Sequence, residues 1–327
     1  MNLKLHSEGS GKTGDMCKAV PPWLMAFILL FAWSINSYAF PDGNAPRVAF
    51  VASSGNPALD KHVTDLIAGH IRSDLALTPL SDNQLPYLND EPVITIGPDA
   101  FTRVHQSNPN ARIIATLVED DFISDYARTS EGRITAVFYN VPLVRQALTG
   151  KAILPQATKV AIMASPENAD IYDSLIDVLP SYGLQGQVFI VDNKTQLIST
   201  LVRALNYGDF LLGGPDHKIY NPTNIKHILL TAYRRNKILI GPSQAYVKAG
   251  ALASSYPPFS SMAKKAAEFL ESYLDIGIFP APDHPDVFSV EVNEQVGRSL
   301  NIPLPDRQYL SKTVEELLRQ PAQESVK

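Results

Sequence analysis

The chain contains 327 residues, of which 45% are hydrophobic and 19% are charged, and its formal net charge is −5 at pH 7. A mildly acidic chain without a basic tract is unsuited to nucleic acid, because binding to phosphates depends on clustered Lys and Arg. The single cysteine, Cys17, lies near the N-terminus, so the remainder of the chain has no thiol for disulfides, thiolate catalysis or thiolate metal sites.

An apolar stretch, Trp23–Ile35, is followed by a small-residue pattern that ends at Ala39. This stretch is too short to span a bilayer as a helix, which needs roughly 20 residues, but it suits the apolar region of a secretory signal. We therefore predict that residues 1–39 are a signal peptide, cleaved after Ala39, and that the protein is periplasmic. A start at Met16 would remove the acidic residues that are unusual in a signal; an uncleaved membrane anchor is the alternative.

Removal of the signal leaves 288 of the 327 residues. Single cores usually divide at this size, so two lobes are expected. The predicted strands are 47–53, 92–97, 112–118, 134–138, 159–164, 187–192, 209–212, 237–240 and 251–254. The predicted helices are 57–73, 98–106, 142–151, 167–182, 194–206, 221–235 and 260–275. Continuous apolar strands separated by helices predict an α/β fold in which each lobe is a parallel sheet flanked by helices.

Residues 241–254, with the sequence GPSQAYVKAGALAS, resemble a characteristic segment of the ABC transporter substrate-binding protein family, in the group linked to aromatic amino acids. Weaker similarities follow in the same order at Asn56–Asp60, Thr95–Ala100 and Ser289–Ile302. The resemblance covers about residues 47–310. It implies a two-lobed periplasmic-binding-protein-like fold of type 1, with a ligand held between the lobes.

The resemblance also implies that the chain passes between the lobes more than once. We predict that lobe 1 comprises residues 46–135 and 243–280, and that lobe 2 comprises residues 136–242 and 281–327. Between residues 73 and 92 the chain is shorter than the complete strand and helix that the family usually has. Lobe 1 is therefore predicted to be reduced.

Ligands of open α/β sheets lie at the carboxyl ends of the strands, where loops lead into helix N-termini. The candidate ligand-binding residues in such loops are Ser53, Ser54, Asn56, Gly97, Pro98, Asp99, Tyr139, Asn140, Ser165, Asp216 and Tyr220. Hydroxyl and amide groups in lobe 1 can hold a carboxylate, Asp216 can pair with an ammonium group, and the two tyrosines can form aromatic walls. This set fits an amino-acid-like zwitterion.

Each candidate also has a structural interpretation. Serine and asparagine commonly cap helices, an aspartate such as Asp216 can initiate a turn, and tyrosines can be scaffold aromatics. The family's ligand loop reads Pro-Thr-Asp-Asn, whereas this chain has Gly-Pro-Asp-His at residues 214–217, which leaves the ligand open. The acidic run Glu119–Asp121 is interpreted as a solvated surface after a strand.

No signature of catalysis is present in the sequence, which lacks a Gly-x-Ser-x-Gly motif. His62 and His70 lie eight residues apart on one predicted helix, unlike a His-Glu-x-x-His motif, so neither a metal nor a cofactor is expected. We predict a monomeric binding protein, not an enzyme, that delivers its ligand to the membrane subunits of an ABC importer. The alternative partner is a membrane sensor kinase or cyclase.

Overall fold

The computed structural model describes residues 47–319. The predicted signal peptide at residues 1–39, its cleavage after Ala39 and the start at Met16 lie outside the described residues, as do residues 320–327. Between residues 47 and 319, no helix is both long enough and apolar enough to cross a membrane.

Two β-sheets with helices on their faces form the described part of the chain. The strands are β1 (Arg47–Ala52), β2 (Leu75–Pro79), β3 (Pro92–Ile96), β4 (Arg112–Val118), β5 (Ile134–Phe138), β6 (Lys159–Ala164), β7 (Gln185–Ile190), β8 (Phe210–Leu212), β9 (Ile238–Ile240), β10 (Ala253–Tyr256) and β11 (Ser289–Val292). The α-helices are α1 (Pro57–Ala68), α2 (Pro98–Ser107), α3 (Asp120–Thr129), α4 (Leu143–Ile153), α5 (Asp173–Val178), α6 (Leu197–Tyr207), α7 (Ile225–Arg234), α8 (Gln244–Ala249), α9 (Phe259–Ile276), α10 (Glu294–Ser299) and α11 (Arg307–Arg319).

The first sheet has five strands in the order β2-β1-β3-β4-β5, and every pair is parallel. All residues of β3 and β5 are buried, because helices cover both faces of the sheet. Apolar residues therefore occupy consecutive positions in these strands, and this is the pattern from which the sequence predicted them.

Helix α9 shows how the sequence places a helix on this sheet. Its apolar residues recur at helical spacing, from Met262 through Ala266 to Tyr273, and they are buried in the same core as residues of α1. The helix ends where Gly277 adopts the left-handed conformation, with a φ of 78°. Helix α9 thus covers the first sheet although it follows strands of the second sheet in the chain.

The segment between residues 73 and 92 contains a strand that the sequence did not predict. Strand β2 pairs parallel with β1 at the edge of the sheet, where Pro79 can be accommodated because an edge strand need not donate every amide. The next residues form a 3-10 segment, Asp82–Tyr87, in place of an α-helix. Pro86 lies within this segment and disfavours the α-helical hydrogen-bond pattern.

The second sheet has six strands in the order β11-β10-β9-β8-β6-β7. Strands β6 to β10 run parallel, whereas β11 pairs antiparallel with β10. Strand β11 is thus the exception to the predicted parallel arrangement. It reaches the sheet from the other lobe and not through a crossover helix of the kind that joins parallel strands.

The predicted lobe boundaries need correction. Of residues 243–280, assigned to lobe 1, helix α8 and strand β10 lie with the second sheet, and only the part that includes α9 lies on the first. Residues 281–286, assigned to lobe 2, run along the edge of the first sheet, where Asp283 bridges to Val137. The chain crosses from lobe 2 to lobe 1 at Pro257–Pro258, within the range 243–280 that was predicted to lie entirely in lobe 1.

The chain passes between the lobes three times within the described residues. Residues 139–142 join β5 to α4, residues 257–258 join β10 to α9, and residues 278–288 lead from α9 to β11. Each of these crossings contains proline. The crossings position the strand exits of the two sheets on either side of a common cleft.

Gln146 joins α4, which follows the first crossing, to the end of β10, which precedes the second. It lies on α4 with a side chain that is only 1% exposed. Its Nε2 donates to the carbonyl oxygen of Ser255 at 2.8 Å, and its Oε1 accepts from the backbone N–H of Ser255 at 2.8 Å. Because both ends of the amide are bonded to one residue, Gln146 fixes the end of β10 relative to α4.

Candidate ligand-binding cleft

The cleft between the lobes contains a cavity of about 630 Å³. The lobe 1 residues that line it are Glu119, Asp120, Asp121, Ser124, Tyr139 and Asn140. Those from lobe 2 and its border include Gln146, Asn168, Ile171, Gly214, Pro215, His217, Lys218, Pro242, Ser243 and Tyr246. The first crossing contributes apolar residues between the two walls, among them Val141 and Pro142.

Tyr139 lies where this cavity meets two neighbouring spaces. One, of about 620 Å³, is lined by Pro98, Leu117 and Phe122 among others, and the second, of about 230 Å³, extends toward Phe259. All three spaces share Tyr139, which is 37% exposed. The tyrosine predicted as an aromatic wall therefore lies at the centre of the cleft.

Glu119 is the most connected side chain of the lobe 1 wall. Its Oε1 accepts a hydrogen bond from the Tyr139 hydroxyl at 2.6 Å, and its Oε2 lies 3.6 Å from Nε2 of His217 in the opposite lobe. Burial, this hydrogen bond and the negative charge of Glu119 raise the pKa of Tyr139. Tyr139 therefore acts as a neutral hydrogen-bond donor at neutral pH.

The backbone leading to Glu119 is irregular. Leu117 has a φ of 57°, which is uncommon for a residue other than glycine, and the register of β4 against β5 shifts between Thr116 and Val118. Leu117 lines both of the neighbouring spaces. A bulge of this kind re-aims the side chains at the end of a strand, and here it precedes the acidic wall.

The acidic run Glu119–Asp121 lines the cleft, and Asp120 and Asp121 are also exposed, so the predicted solvated run forms part of the cavity wall. Asp120 Oδ1 accepts from the Nδ2 group of Asn140 at 3.0 Å and from the backbone N–H of Asp121 at 2.9 Å. Asn140 was predicted from the sequence, and the structure places it in the same wall. The exits of β4 and β5 are adjacent, because these strands are neighbours in the sheet.

Asp216 does not face the cleft. It is fully buried, and its carboxylate accepts from the backbone N–H of Ser165 at 2.6 Å and of Lys218 at 2.9 Å. Burial alone would raise the pKa of Asp216, but these hydrogen bonds outweigh it and lower the pKa. Asp216 thus ties two loops of lobe 2 together, in place of the predicted contact with a ligand ammonium group.

Two other predicted residues of lobe 2 are also part of the scaffold. Ser165 is 2% exposed, and Tyr220 is 1% exposed with its hydroxyl donating to the carbonyl oxygen of Leu212 at 3.2 Å. The carbonyl oxygen of Tyr220 accepts from the hydroxyl of Tyr246 at 2.6 Å. Tyr246, which was not predicted, is the tyrosine that lobe 2 presents to the cavity.

The first loop of lobe 1 bonds chiefly to its own helix. The hydroxyls of Ser53 and Ser54 donate to Asp60, and the side chain of Asn56 caps α1 by accepting from the N–H groups of Ala58 and Leu59. Burial alone would raise the pKa of Asp60, but the bonds from the two serines outweigh it and lower the pKa. These residues lie at the carboxyl end of the first sheet but do not line the three spaces described above.

In the loop at residues 97–99, two residues shape the start of α2 and one residue lines the cleft. Gly97 precedes α2 with a φ of 85°, a conformation that favours glycine, and Asp99 is exposed in the first turn of the helix. Pro98 is the first residue of the helix and lines the 620 Å³ space. Of these three predicted residues, the structure brings Pro98 to the cleft.

The main residues that sequence reasoning missed are the acidic wall, His217, Lys218 and Tyr246. The strand-exit rule applied to β4 would have found the acidic wall, and its application to β9 would have found Ser243 at the start of α8. The strand-exit rule applied to β8 marks the loop at residues 213–220, which contains His217 and Lys218, but it does not single out these two side chains. Among residues 47–319 no group of three His, Cys, Asp or Glu side chains is arranged to hold a metal ion.

Neither a family model nor a curated protein matches the sequence. Solved structures do match. A ligand-free, open structure of a substrate binding protein with adhesive properties from Clostridium difficile has a TM-score of 0.62 at 14% identity, covering 79% of this chain and 96% of that one. An ABC domain in complex with L-Trp from Streptococcus pneumonia has a TM-score of 0.51 at 16% identity, covering 84% and 98%.

The likeness to these structures shows the fold. The described residues have a two-lobed, periplasmic-binding-protein-like α/β fold, as the sequence predicted. A conserved domain protein from Vibrio cholerae O1 has a TM-score of 0.50 at 16% identity and covers 84% of this chain. The cavity described above lies between the lobes of this fold.

Proposed function

We propose that this protein is an exported solute-binding protein that captures an amino-acid-like zwitterion between its lobes and delivers it to an ABC importer. The observation that carries the proposal is the cavity of about 630 Å³ whose walls come from both lobes. Small-molecule sites typically occupy about 300–1,000 Å³ and combine apolar walls with a few placed polar groups. Here Val141 and Pro142 lie between charged walls, an arrangement that suits a small ligand with charged ends.

A ligand in this cavity would act by holding the lobes together. It contacts both walls at once only when the lobes are close, so its binding energy favours the closed arrangement over an open one. A micromolar dissociation constant corresponds to about −8 kcal/mol, which is ample for a scavenging receptor. The protein would act as a monomer, whose closed form the importer's membrane subunits recognise.

The proposal is tested by a thermal-shift screen of the purified protein with amino acids, nucleosides, sugars and short peptides. A ligand present at 100 times its dissociation constant stabilises the protein by about 2.7 kcal/mol, which is readily detected as a higher melting temperature. We expect amino acids to raise it. If only sugars or nucleosides do so, the amino-acid assignment is wrong.

The same cleft could serve a membrane sensor kinase or cyclase. The observation that favours this alternative is the reduced edge of lobe 1, where the 3-10 segment Asp82–Tyr87 replaces a helix and leaves Tyr87 79% exposed. Deletion of the gene separates the two roles. Loss of uptake of the radiolabelled ligand supports transport, whereas normal uptake with a lost transcriptional or cyclic-nucleotide response supports sensing.

Replacement of Tyr139 by alanine is expected to weaken ligand binding about ten-fold or more. The ring lies at the junction of the three spaces and its hydroxyl bonds to Glu119, so the variant loses a wall and a hydrogen bond of the cleft. Titration calorimetry with the best ligand from the screen measures the effect. Tyr309→Ala is the control, because Tyr309 is 62% exposed in α11 and lies outside the cavity. Equal ligand affinities for both variants would show that Tyr139 does not contribute to the ligand-binding site.

A further inference from the structure

The two walls of the cleft differ in charge. The lobe 1 wall carries the carboxylates of Glu119, Asp120 and Asp121 and has no basic side chain among the residues that line the cavity. The lobe 2 wall carries His217 and Lys218 and has no carboxylate among its lining residues. The cavity is therefore polarised across its width, with the negative wall on lobe 1.

The acidic wall lies where the fold stabilises negative charge. Glu119 is the N-cap residue of α3, and the two aspartates occupy its first turn. The unpaired N–H groups and dipole of a helix N-terminus favour anionic side chains at these positions. The same geometry disfavours the carboxylate of a ligand on this wall, because it would meet three charges of its own sign.

The opposite wall has a complementary but weaker charge. His217 lies 3.6 Å from Glu119 across the cleft, and Lys218 lies 3.0 Å from Glu167, which is outside the cavity lining. Because Glu119 and His217 are in contact, the two walls are close enough for one small ligand to touch both. A zwitterion can satisfy both walls by replacing this direct contact with its own two ends.

The residues that would hold the ligand in the opposite orientation are otherwise engaged. The buried carboxylate of Asp216 accepts backbone hydrogen bonds, so no acidic side chain of lobe 2 is offered to an ammonium group in the cavity. In lobe 1, the hydroxyls of Ser53 and Ser54 donate to Asp60. In the orientation predicted from the sequence, the ligand ammonium group would therefore lack Asp216 and the ligand carboxylate would lack the two serine hydroxyls.

We propose that the ligand places its ammonium group on the lobe 1 carboxylates and its carboxylate toward His217 and Lys218, the reverse of the orientation predicted from the sequence. This assignment rests on the proposed function and defines the ligand as an amine-bearing molecule. The positive group is the dominant determinant, because three carboxylates face one lysine and one histidine in the cavity. A ligand that retains the amine but lacks the carboxylate should still bind.

Matched probes test the orientation in the wild-type protein. One set is L-tryptophan, tryptamine and indole-3-propionate; the second is L-leucine, 3-methylbutylamine and 4-methylpentanoate. Within each set the side chain is constant while the carboxylate or the amine is removed. Titration calorimetry at pH 7 should show the amine binding at least ten-fold more tightly than the acid.

Charge-neutralising variants then assign each end to a wall. Glu119→Gln retains an oxygen that can accept from Tyr139 but removes the charge, and it should weaken amine binding about ten-fold without weakening the acid. Lys218→Gln should weaken the amino acid but leave the amine unchanged. Asp125→Asn is the control, because Asp125 also lies on α3 but is exposed and outside the cavity; it should change neither.

The outcomes separate this inference from the proposed function. An amino acid that binds together with a tighter acid analogue, or a loss of amine binding in Lys218→Gln alone, overturns the orientation and leaves the solute-binding role intact. Binding by no member of either set, together with a thermal-shift screen in which no amino acid raises the melting temperature, overturns the orientation and the amino-acid assignment alike. Preferential amine binding that Glu119→Gln reduces and Asp125→Asn does not supports the proposal.

Discussion

Replacement of Asp216 by alanine is expected to lower the free energy of unfolding by about 3 kcal/mol. The carboxylate is fully buried and accepts hydrogen bonds from the backbone of Ser165 and Lys218. The buried N–H of Ser165 left without a partner costs about 1–3 kcal/mol, and loss of the part-buried bond from Lys218 adds to this cost. Urea unfolding followed by circular dichroism measures the change. Asp170→Ala, at an exposed residue of the same lobe, should remain within about 0.5 kcal/mol of the wild type.

The destabilisation should depend on pH. Because the pKa of Asp216 is lower in the folded protein than in the unfolded chain, its ionised form stabilises the fold above the unfolded-state pKa, near 3.9. This contribution is lost as the pH falls through the lowered pKa. The wild type and Asp216→Ala should therefore differ fully at pH 7 and converge in strong acid. Equal unfolding midpoints at pH 7 would show that the two loops do not depend on this carboxylate.

Replacement of Gly214 by alanine should destabilise the protein by about 2–3 kcal/mol. Gly214 follows β8 and lines the cavity, and an added Cβ would overlap the hydroxyl of Tyr172 and approach its ring to within 2.7 Å. Tyr172 is 0% exposed, so its ring cannot turn toward solvent without disrupting the surrounding core. Overpacking of a well-packed interior typically costs about 1–3 kcal/mol. Thermal or urea unfolding measures the loss.

Two further variants identify the cause of this loss. Gly69→Ala is the control, because a Cβ there meets its neighbours at an ordinary 3.5 Å and the backbone φ is −66°. In a Tyr172→Phe background, Gly214→Ala should cost less than in the wild type, because the hydroxyl is gone while the ring remains. An equal cost in both backgrounds would contradict an overlap with the Tyr172 hydroxyl.

The pattern of apolar residues in the sequence was sufficient to predict strands that are buried on both faces. Strand β5 was predicted at residues 134–138 and is observed at Ile134–Phe138, because each of its side chains meets a helix-covered face. Strand β2 was missed because it lies at an edge, where none of its residues is fully buried and Pro79 ends it. Edge strands lack the continuous apolar pattern on which the prediction depended.

The candidate site was predicted less completely, because a sequence does not show which way a loop side chain points. Tyr139 and Asn140 were found by their position after β5, and both line the cavity. Asp216 has an equivalent position after β8, but its side chain turns inward to accept backbone hydrogen bonds. An acidic run such as Glu119–Asp121 has the same composition on a solvated surface as in a cleft, so only the position of the second lobe distinguishes the two cases.

The three crossings between the lobes have a mechanical consequence. The first two contain only four and two residues between regular elements, and each includes proline, whose ring restricts φ. Two short connections and a longer third one, all of which contain proline, permit the lobes to close toward each other but resist relative twisting and sliding. We therefore expect the lobes to open and close by a hinge motion about these crossings. The register between the acidic and basic walls would then be preserved at every angle of opening.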